Sequence, residues 1–492
     1  MTGRNVFVFP RHMTSWVELV PLAQAIAETG SETPIVILAT AEMASKSSEI
    51  EKLGLQYVDA WSSISRELAK WPGLTAGLGR WIEAAIDGKD AAAGDFLPLA
   101  LLRMQALKRR LDIEYGVFQK LFSQWTPAAL LCPGDRELSP VPPMLRAARD
   151  AGVPVVLAAT NLPYIEGVAI TRAESRSFRC EGGAPLINRL AARRFPKQIA
   201  RTAYGNLLFS PGWRIFALAS RNMISENPWV QGGGLSDFVF QHNLSKTELY
   251  EALGCPPQKF VAVGDQTLDP LRAALDRRAE IRRELTLEHG LAPEKPLAVM
   301  AVPNEAEHNL ATMEEHLARQ EAFWSPLRLS GVEVLLCLHP KSKRDDYRAL
   351  ADRLGFHFAN KRLHETLPAA DLFLCSCSTT ALWAKLCAVP IVNWDYLRLN
   401  LDYFREPHGV VEVHTAAEFA KVLPEVLAMS REPERSKIRA QAARIAKETI
   451  FDGKATMRIC NFIHRVACGE RFTGPVKTFE YGSEPARGLQ AG

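Results

Sequence analysis

The chain has 492 residues, more than the ~250–300 at which one hydrophobic core stops growing, so at least two domains are expected. Apolar residues make up 47% and charged residues 23% of the chain, which excludes global disorder and fibrous repeats, and 59 basic against 55 acidic residues are too balanced for a nucleic-acid binder. Nine cysteines at irregular positions, with no repeated C-x-x-C pair, speak for a reduced, cytoplasmic setting without a zinc site, and neither metal nor cofactor is expected.

Met1 to Asn5 lead into Val6 to Phe9, a run too short for a signal-peptide core or a membrane span, and no later apolar window reaches the ~18 residues a span needs. Val6 to Phe9 reads as a strand. It ends in Phe9-Pro10-Arg11-His12-Met13-Thr14-Ser15-Trp16, and a helical pattern follows at Val17, Val20, Leu22, Ala25 and Ile26. Arg11 and His12 thus stand outside a strand's carboxyl end beside a helix start, where open α/β sheets hold ligands. The bland alternative is a helix cap by Thr14 or Ser15 beside a solvated Arg11. No G-x-G-x-x-G occurs here, so a dinucleotide site is unsupported.

Strands are next expected at Ile35 to Leu38, Ala129 to Cys132 and Val155 to Ala158, with a helical insertion over residues 62–124. After the third strand comes Cys132-Pro133-Gly134-Asp135-Arg136-Glu137. A tight turn at Gly134 would project two carboxylates with an arginine between them, a set suited to acid–base chemistry, or else a surface ion pair with a capping Asp. Between Arg189 and Arg221 there are seven Arg or Lys and no Asp or Glu, interleaved with aromatic and aliphatic residues. Such a segment suits an anionic bilayer surface, or alternatively a helix pair covering the domain with its basic face in water.

The second half repeats the alternation, with strands expected at Leu297 to Met300, Val332 to Leu338, Phe356 to Phe358, Leu372 to Cys375 and Val389 to Val392. His339-Pro340-Lys341-Ser342-Lys343 follows one strand and Ser376-Cys377-Ser378-Thr379-Thr380 another, the latter ahead of a helix at Ala381 to Cys387. A histidine with lysines, and hydroxyls with free amides at a helix start, can together hold a phosphate on what are expected to be neighbouring strand ends; a plain N-cap is the alternative for the second. The expected domains are 1–243 and 244–469, followed by a flexible tail at 470–492 rich in Gly and Pro.

Taken together these motifs resemble the GT-B superfamily of nucleotide-sugar glycosyltransferases, over roughly residues 5–50 and 125–465. The Arg11 loop, Gly134-Asp135-Arg136 and Val263-Gly264-Asp265-Gln266-Thr267-Leu268-Asp269 look like segments of hydrolysing UDP-GlcNAc 2-epimerases, and Pro303 to Asn309 is a looser echo. Ser378-Thr379-Thr380 departs from them, because Ala381, Leu382 and Trp383 stand where those enzymes carry paired glutamates. His-Pro on one strand end and a Ser/Thr cluster on another are similar instead to bacterial transferases that use CMP-linked acidic sugars.

The resemblance implies an α/β fold of two Rossmann-like doubly wound domains facing a central cleft. It implies a glycosyltransferase of surface-glycan synthesis that takes a UDP- or CMP-linked donor and a glycan or lipid-linked acceptor, in the cytoplasm or peripherally at the membrane. A 2-epimerase-like enzyme and a non-catalytic binding relative are the rivals. Asp135, Glu137 and, in reserve, His12 are the expected catalytic groups; Arg11, Arg136, His339, Lys341, Ser376, Ser378, Thr379 and Thr380 are the expected substrate contacts.

Overall fold

A computed structural model describes residues 4–70, 97–136, 139–158, 165–242, 247–308, 310–470 and 472. The chain divides into two compact units, residues 1–264 with 456–492 and residues 265–455.

In the first unit, β1 (Arg4–Val8), β2 (Glu32–Leu38), β3 (Gln56–Asp59), β4 (Ala129–Cys132) and β5 (Val155–Leu157) precede an antiparallel pair, β6 (Ile199–Thr202) and β7 (Gly205–Leu208). β8 (Phe238–Gln241) and β9 (Phe260–Ala262) complete a seven-stranded parallel sheet of order β3-β2-β1-β4-β5-β8-β9. A parallel sheet is covered on both faces, and its strands are therefore apolar at successive positions. Val6 and Val8 join one core with Trp16, Leu19 and Phe462, while Phe7 and Phe9 join the other with Phe118, Phe122 and Leu145. Full burial of each such side chain contributes roughly 1.5–3 kcal/mol. The described helices of the expected insertion are Ala60–Ala69 and Leu97–Trp125; the latter lies on the Phe7 face.

The second unit holds β10 (Leu297–Ala301), β11 (Glu333–Cys337), β12 (His357–Phe358), β13 (Leu372–Cys375), β14 (Ile391–Trp394) and β15 (Val410–Val413), all parallel, in the order β12-β11-β10-β13-β14-β15. Leu297, Val299 and Phe373 face one core, and Ala298, Met300 and Leu374 the other.

The domain boundary differs from the expected 243/244. β9 pairs with β8 through Val239–Phe260 to Gln241–Ala262, so the chain leaves the first sheet only after Gly264. It also returns: Ile459, Phe462, Ile463 and Val466 of helix Ala455–Ala467 pack into the core beside β1. The expected tail at 470–492 lies outside the described residues apart from Glu470 and Phe472, and Phe472 packs edge-on against Phe238 and tilted against Phe462. Among the described residues, no helix is long and apolar enough to cross a membrane.

Candidate functional site

In the first sheet the strand order reverses between β1 and β4, which opens a crevice outside their carboxyl ends. Pro10 has no N–H and stops the β1 ladder, and the next turn is locked by Ser15. The Ser15 hydroxyl accepts from Arg11 N at 2.8 Å and His12 N at 3.0 Å and donates to His12 O at 2.8 Å. Ser15 N–H in turn donates to His12 Nδ1 at 3.3 Å, so His12 caps helix Met13–Thr29 with its ring. An Nδ1 that accepts is unprotonated, and the neutral imidazole then carries its proton on Nε2. Arg11 Nε reaches Ser139 O at 3.3 Å, tying this turn to the stretch after β4.

Asp135 is not aimed outward. It is 2% exposed, and its carboxylate accepts from Gly232 N at 3.0 Å, Gly234 N at 2.8 Å and the Ser236 hydroxyl at 2.7 Å. Ser225 Oγ donates to the Asp135 carbonyl at 2.8 Å, and Lys259 Nζ closes the loop through Gly232 O and Gly234 O. A Cβ on Gly234 would stand 2.4 Å from the Asp135 carbonyl oxygen, which is why glycine occupies that position. Gly134, expected to supply the tight turn, has no positive φ. The carboxylate thus clamps the 232–236 loop, a correction to the sequence expectation of a general base. Glu137 lies outside the described residues. Arg136 is half-buried, and burial lowers its affinity for the proton. A cavity of about 720 Å³ lies beside the clamp, lined by Lys197, Glu226, Gly233, Asp237 and Lys259 among others.

In the second sheet the order reverses between β10 and β13. His339 follows β11, and its Nδ1 accepts from Lys341 N at 3.2 Å, the arrangement already seen at His12. The sequence reading expects β11 and β13 as neighbours, but they flank β10, so the His339 and Ser378 tips stand one strand apart. The Ser378–Thr380 turn is also more self-contained than expected. Ser378 and Thr380 hydroxyls bond at 2.8 Å, Thr380 N donates to Ser378 Oγ, and the amides of Ala381, Leu382 and Trp383 donate to carbonyls of residues 378–380. The helix they start, Ala381–Leu386, is under two turns long and brings little dipole. Ser376 is half-buried and Thr379 exposed, and Thr379 O accepts from Tyr403 Oη at 2.7 Å.

Between these tips, the loop after β10 carries a buried polar network that the motif reading did not anticipate. Glu305 is 5% exposed and pairs with Arg319, and His316 Nδ1 lies 3.5 Å from it. His316 Nε2 is 3.1 Å from Tyr347 Oη, which donates to Glu307 at 3.4 Å. Burial raises the Glu305 pKa, but hydrogen bonds from His316 and Tyr396 and the charge of Arg319 outweigh it and hold the carboxyl below its ordinary value. Asp395, Glu412 and His414 bring ligand atoms within 4.8 Å of one another. The Asp395 oxygens accept from Leu399 N and Asn400 N, and His414 Nδ1 lies 2.9 Å from Asp395 O.

No family profile and no curated protein matches the chain. Among solved structures, one described as a UDP-N-acetylglucosamine 2-epimerase from Listeria monocytogenes aligns over 94% of this chain and 97% of its own, with a TM-score of 0.50 at 13% identity. A second UDP-N-acetylglucosamine 2-epimerase structure aligns over 97% and 99%, with a TM-score of 0.51 at 12% identity. The fold is GT-B-like. Of the residues expected at the strand ends of such a fold, Arg11, His12 and Arg136 stand at the first sheet's reversal, and His339, Lys341 and the 376–380 turn flank the second's.

Of the apolar members of the basic segment, Leu207, Leu208, Phe209, Trp213 and Ile215 are buried within the first unit. Among what is exposed here is one face of helix Leu186–Arg194, where Leu186 and Leu190 alternate with Arg189 and Arg193, and beyond it Lys197, Arg201 and Tyr204.

Proposed function

We propose that this GT-B-like protein is a glycosyltransferase that takes a nucleotide-activated sugar, with donor phosphates held by the second unit and an acceptor by the first. The observation that carries the reading is the common setting of His339 and His12. His12 follows a strand that borders an order reversal and His339 a strand one removed from the other, and each accepts a backbone N–H at Nδ1, which leaves the neutral ring with its proton on Nε2. A donor of this kind suits phosphate oxygens, and Lys341 beside His339 adds charge. Leaving-group stabilisation is therefore assigned to His339 and Lys341, with Ser376, Ser378, Thr379 and Thr380 as further donor contacts. Glu137 is retained as the base, and His12 orients the acceptor through Nε2–H. A glycan or lipid-linked acceptor brought to an anionic membrane by the Arg189–Arg193 face fits the same reading.

The second reading, a UDP-GlcNAc 2-epimerase-like enzyme, is favoured by the two epimerase structures that share the fold. Against it stand Ala381, Leu382 and Trp383 after the hydroxyl turn. The test is a thermal-shift screen of UDP-, CMP-, GDP- and CDP-linked sugars followed by an assay without acceptor. A ligand at ~100 times its Kd adds roughly 2.7 kcal/mol. Donor binding without acceptor-free release of nucleotide supports the transferase; release from UDP-GlcNAc alone supports the epimerase; no response to any donor refutes both.

A further inference from the structure

The first unit contains two partly buried guanidinium groups that share one aromatic ring. Arg172, on helix Ile165–Ala173, places its guanidinium 4.5 Å from the Phe209 ring centre, 5.4 Å from Phe178 and 6.0 Å from Trp229. Arg136, just past β4, stands 6.0 Å from the same Phe209 ring. Backbone oxygens take part of Arg172: its Nε donates to Phe209 O at 2.8 Å and its Nη1 to Val168 O at 3.0 Å. Arg136 Nε has no hydrogen-bond partner among the described residues. Neither arginine forms an ion pair with a described carboxylate, and the adjacent Asp135 has spent its oxygens on Gly232, Gly234 and Ser236. Burial pushes Arg172 down to about 10, and the like charges of Arg136 and Arg214 add to the shift. Both residues are partly exposed.

Like charges brought together out of water repel, and an oxyanion bridging them removes the repulsion while adding charge-assisted acceptors to the pair. We infer that Arg136 and Arg172, over the Phe209 ring, form an oxyanion site for the phosphate or carboxylate of a charged acceptor. The acceptor assignment rests on the functional reading above; the oxyanion site does not. Aromatic walls beside the guanidinium groups restrict water, which favours a bidentate oxyanion over a hydrated halide.

The probe is inorganic phosphate, titrated by calorimetry into the full chain against chloride at equal ionic strength, with glucuronate and glucose 6-phosphate against glucose as further arms. Phosphate is expected to bind, and Arg136→Gln and Arg172→Gln each to weaken it at least tenfold. The double substitution His339→Ala with Lys341→Ala is expected to leave this binding in place. Arg136→Met serves as a second neutral variant should Arg172→Gln fail to fold. Phosphate affinity unchanged in the folded Arg136 variants, or lost only in the His339/Lys341 variant, overturns the site. Phosphate binding that depends on both arginines in a protein that binds no nucleotide-linked sugar keeps the oxyanion site and removes the acceptor assignment.

Discussion

Replacing Asp135 by Asn separates an anchor from a base. The carboxylate receives two backbone N–H groups and one hydroxyl, all within 3.0 Å, in a site that is 2% exposed. An Asn side chain offers one acceptor oxygen, and its NH₂ must face one of those N–H donors, leaving it unsatisfied. Hydrogen bonds to a charged group contribute ~1.5–3 kcal/mol each, and an orphaned buried donor costs ~1–3 kcal/mol. Asp135→Asn should therefore destabilise the first unit by about 3–5 kcal/mol, the 232–236 loop first. Hydrogen exchange of Gly232 and Gly234 reads this directly: their protection should fall by roughly two to four orders of magnitude, at about tenfold per 1.4 kcal/mol. Ser236→Ala should give a smaller loss in the same place. Unchanged protection with abolished turnover would show that Asp135 acts as a base and that the anchor argument is wrong.

His339→Ala should weaken donor binding by ~1.5–3 kcal/mol with the fold intact, as read by the donor dissociation constant; equal affinity in a folded variant removes the assignment. Glu305 has a folded pKa below its ordinary value, so its contribution to stability is complete above the unfolded pKa and is lost as pH falls through the folded one. Urea midpoints taken from about pH 7 down to about pH 3 should fall less steeply for Glu305→Gln than for the wild type; parallel curves would refute the pairing with Arg319 and His316. Neutralising Arg189 and Arg193 should lower binding to anionic vesicles by about 1 kcal/mol per charge and leave neutral vesicles unaffected. Flotation checks this, and wild-type protein that ignores anionic vesicles at low salt ends the membrane reading.

Much of the architecture was legible because buried parallel strands announce themselves as short apolar runs: β4 and β13 were placed at their observed ends from Ala129–Cys132 and Leu372–Cys375 alone. β3, β8, β9 and β15 escaped, and in β3 the run Gln56-Tyr57-Val58-Asp59 carries polar residues at both ends that blur it into its surroundings. The site was legible as a set of strand ends, since ligand-bearing loops follow from the alternation itself. What each side chain does was not. Asp135 is saturated by glycines a hundred residues away, and only the folded chain brings them together. Arg172 sits in an unremarked helix, and its pairing with Arg136 depends on where Phe209 packs. Sequence order does not reveal that β10 runs between the strands that carry His339 and Ser378.

The return of the chain after Ala455 makes the second unit an insert with both ends stitched together: Ala455 N donates to Asp269 Oδ1 at 3.0 Å, and Gly453 lies against Arg272. Residues 265–455 are therefore a cassette whose entry and exit already meet, and replacing it with the corresponding piece of a protein of like fold requires two cuts at adjoining points rather than a redesign of linkers. The converse holds for a stop codon near residue 455. It would remove Ile459, Phe462, Ile463 and Val466 from beneath β1, so the damage from losing the carboxyl terminus would fall on the amino-terminal sheet.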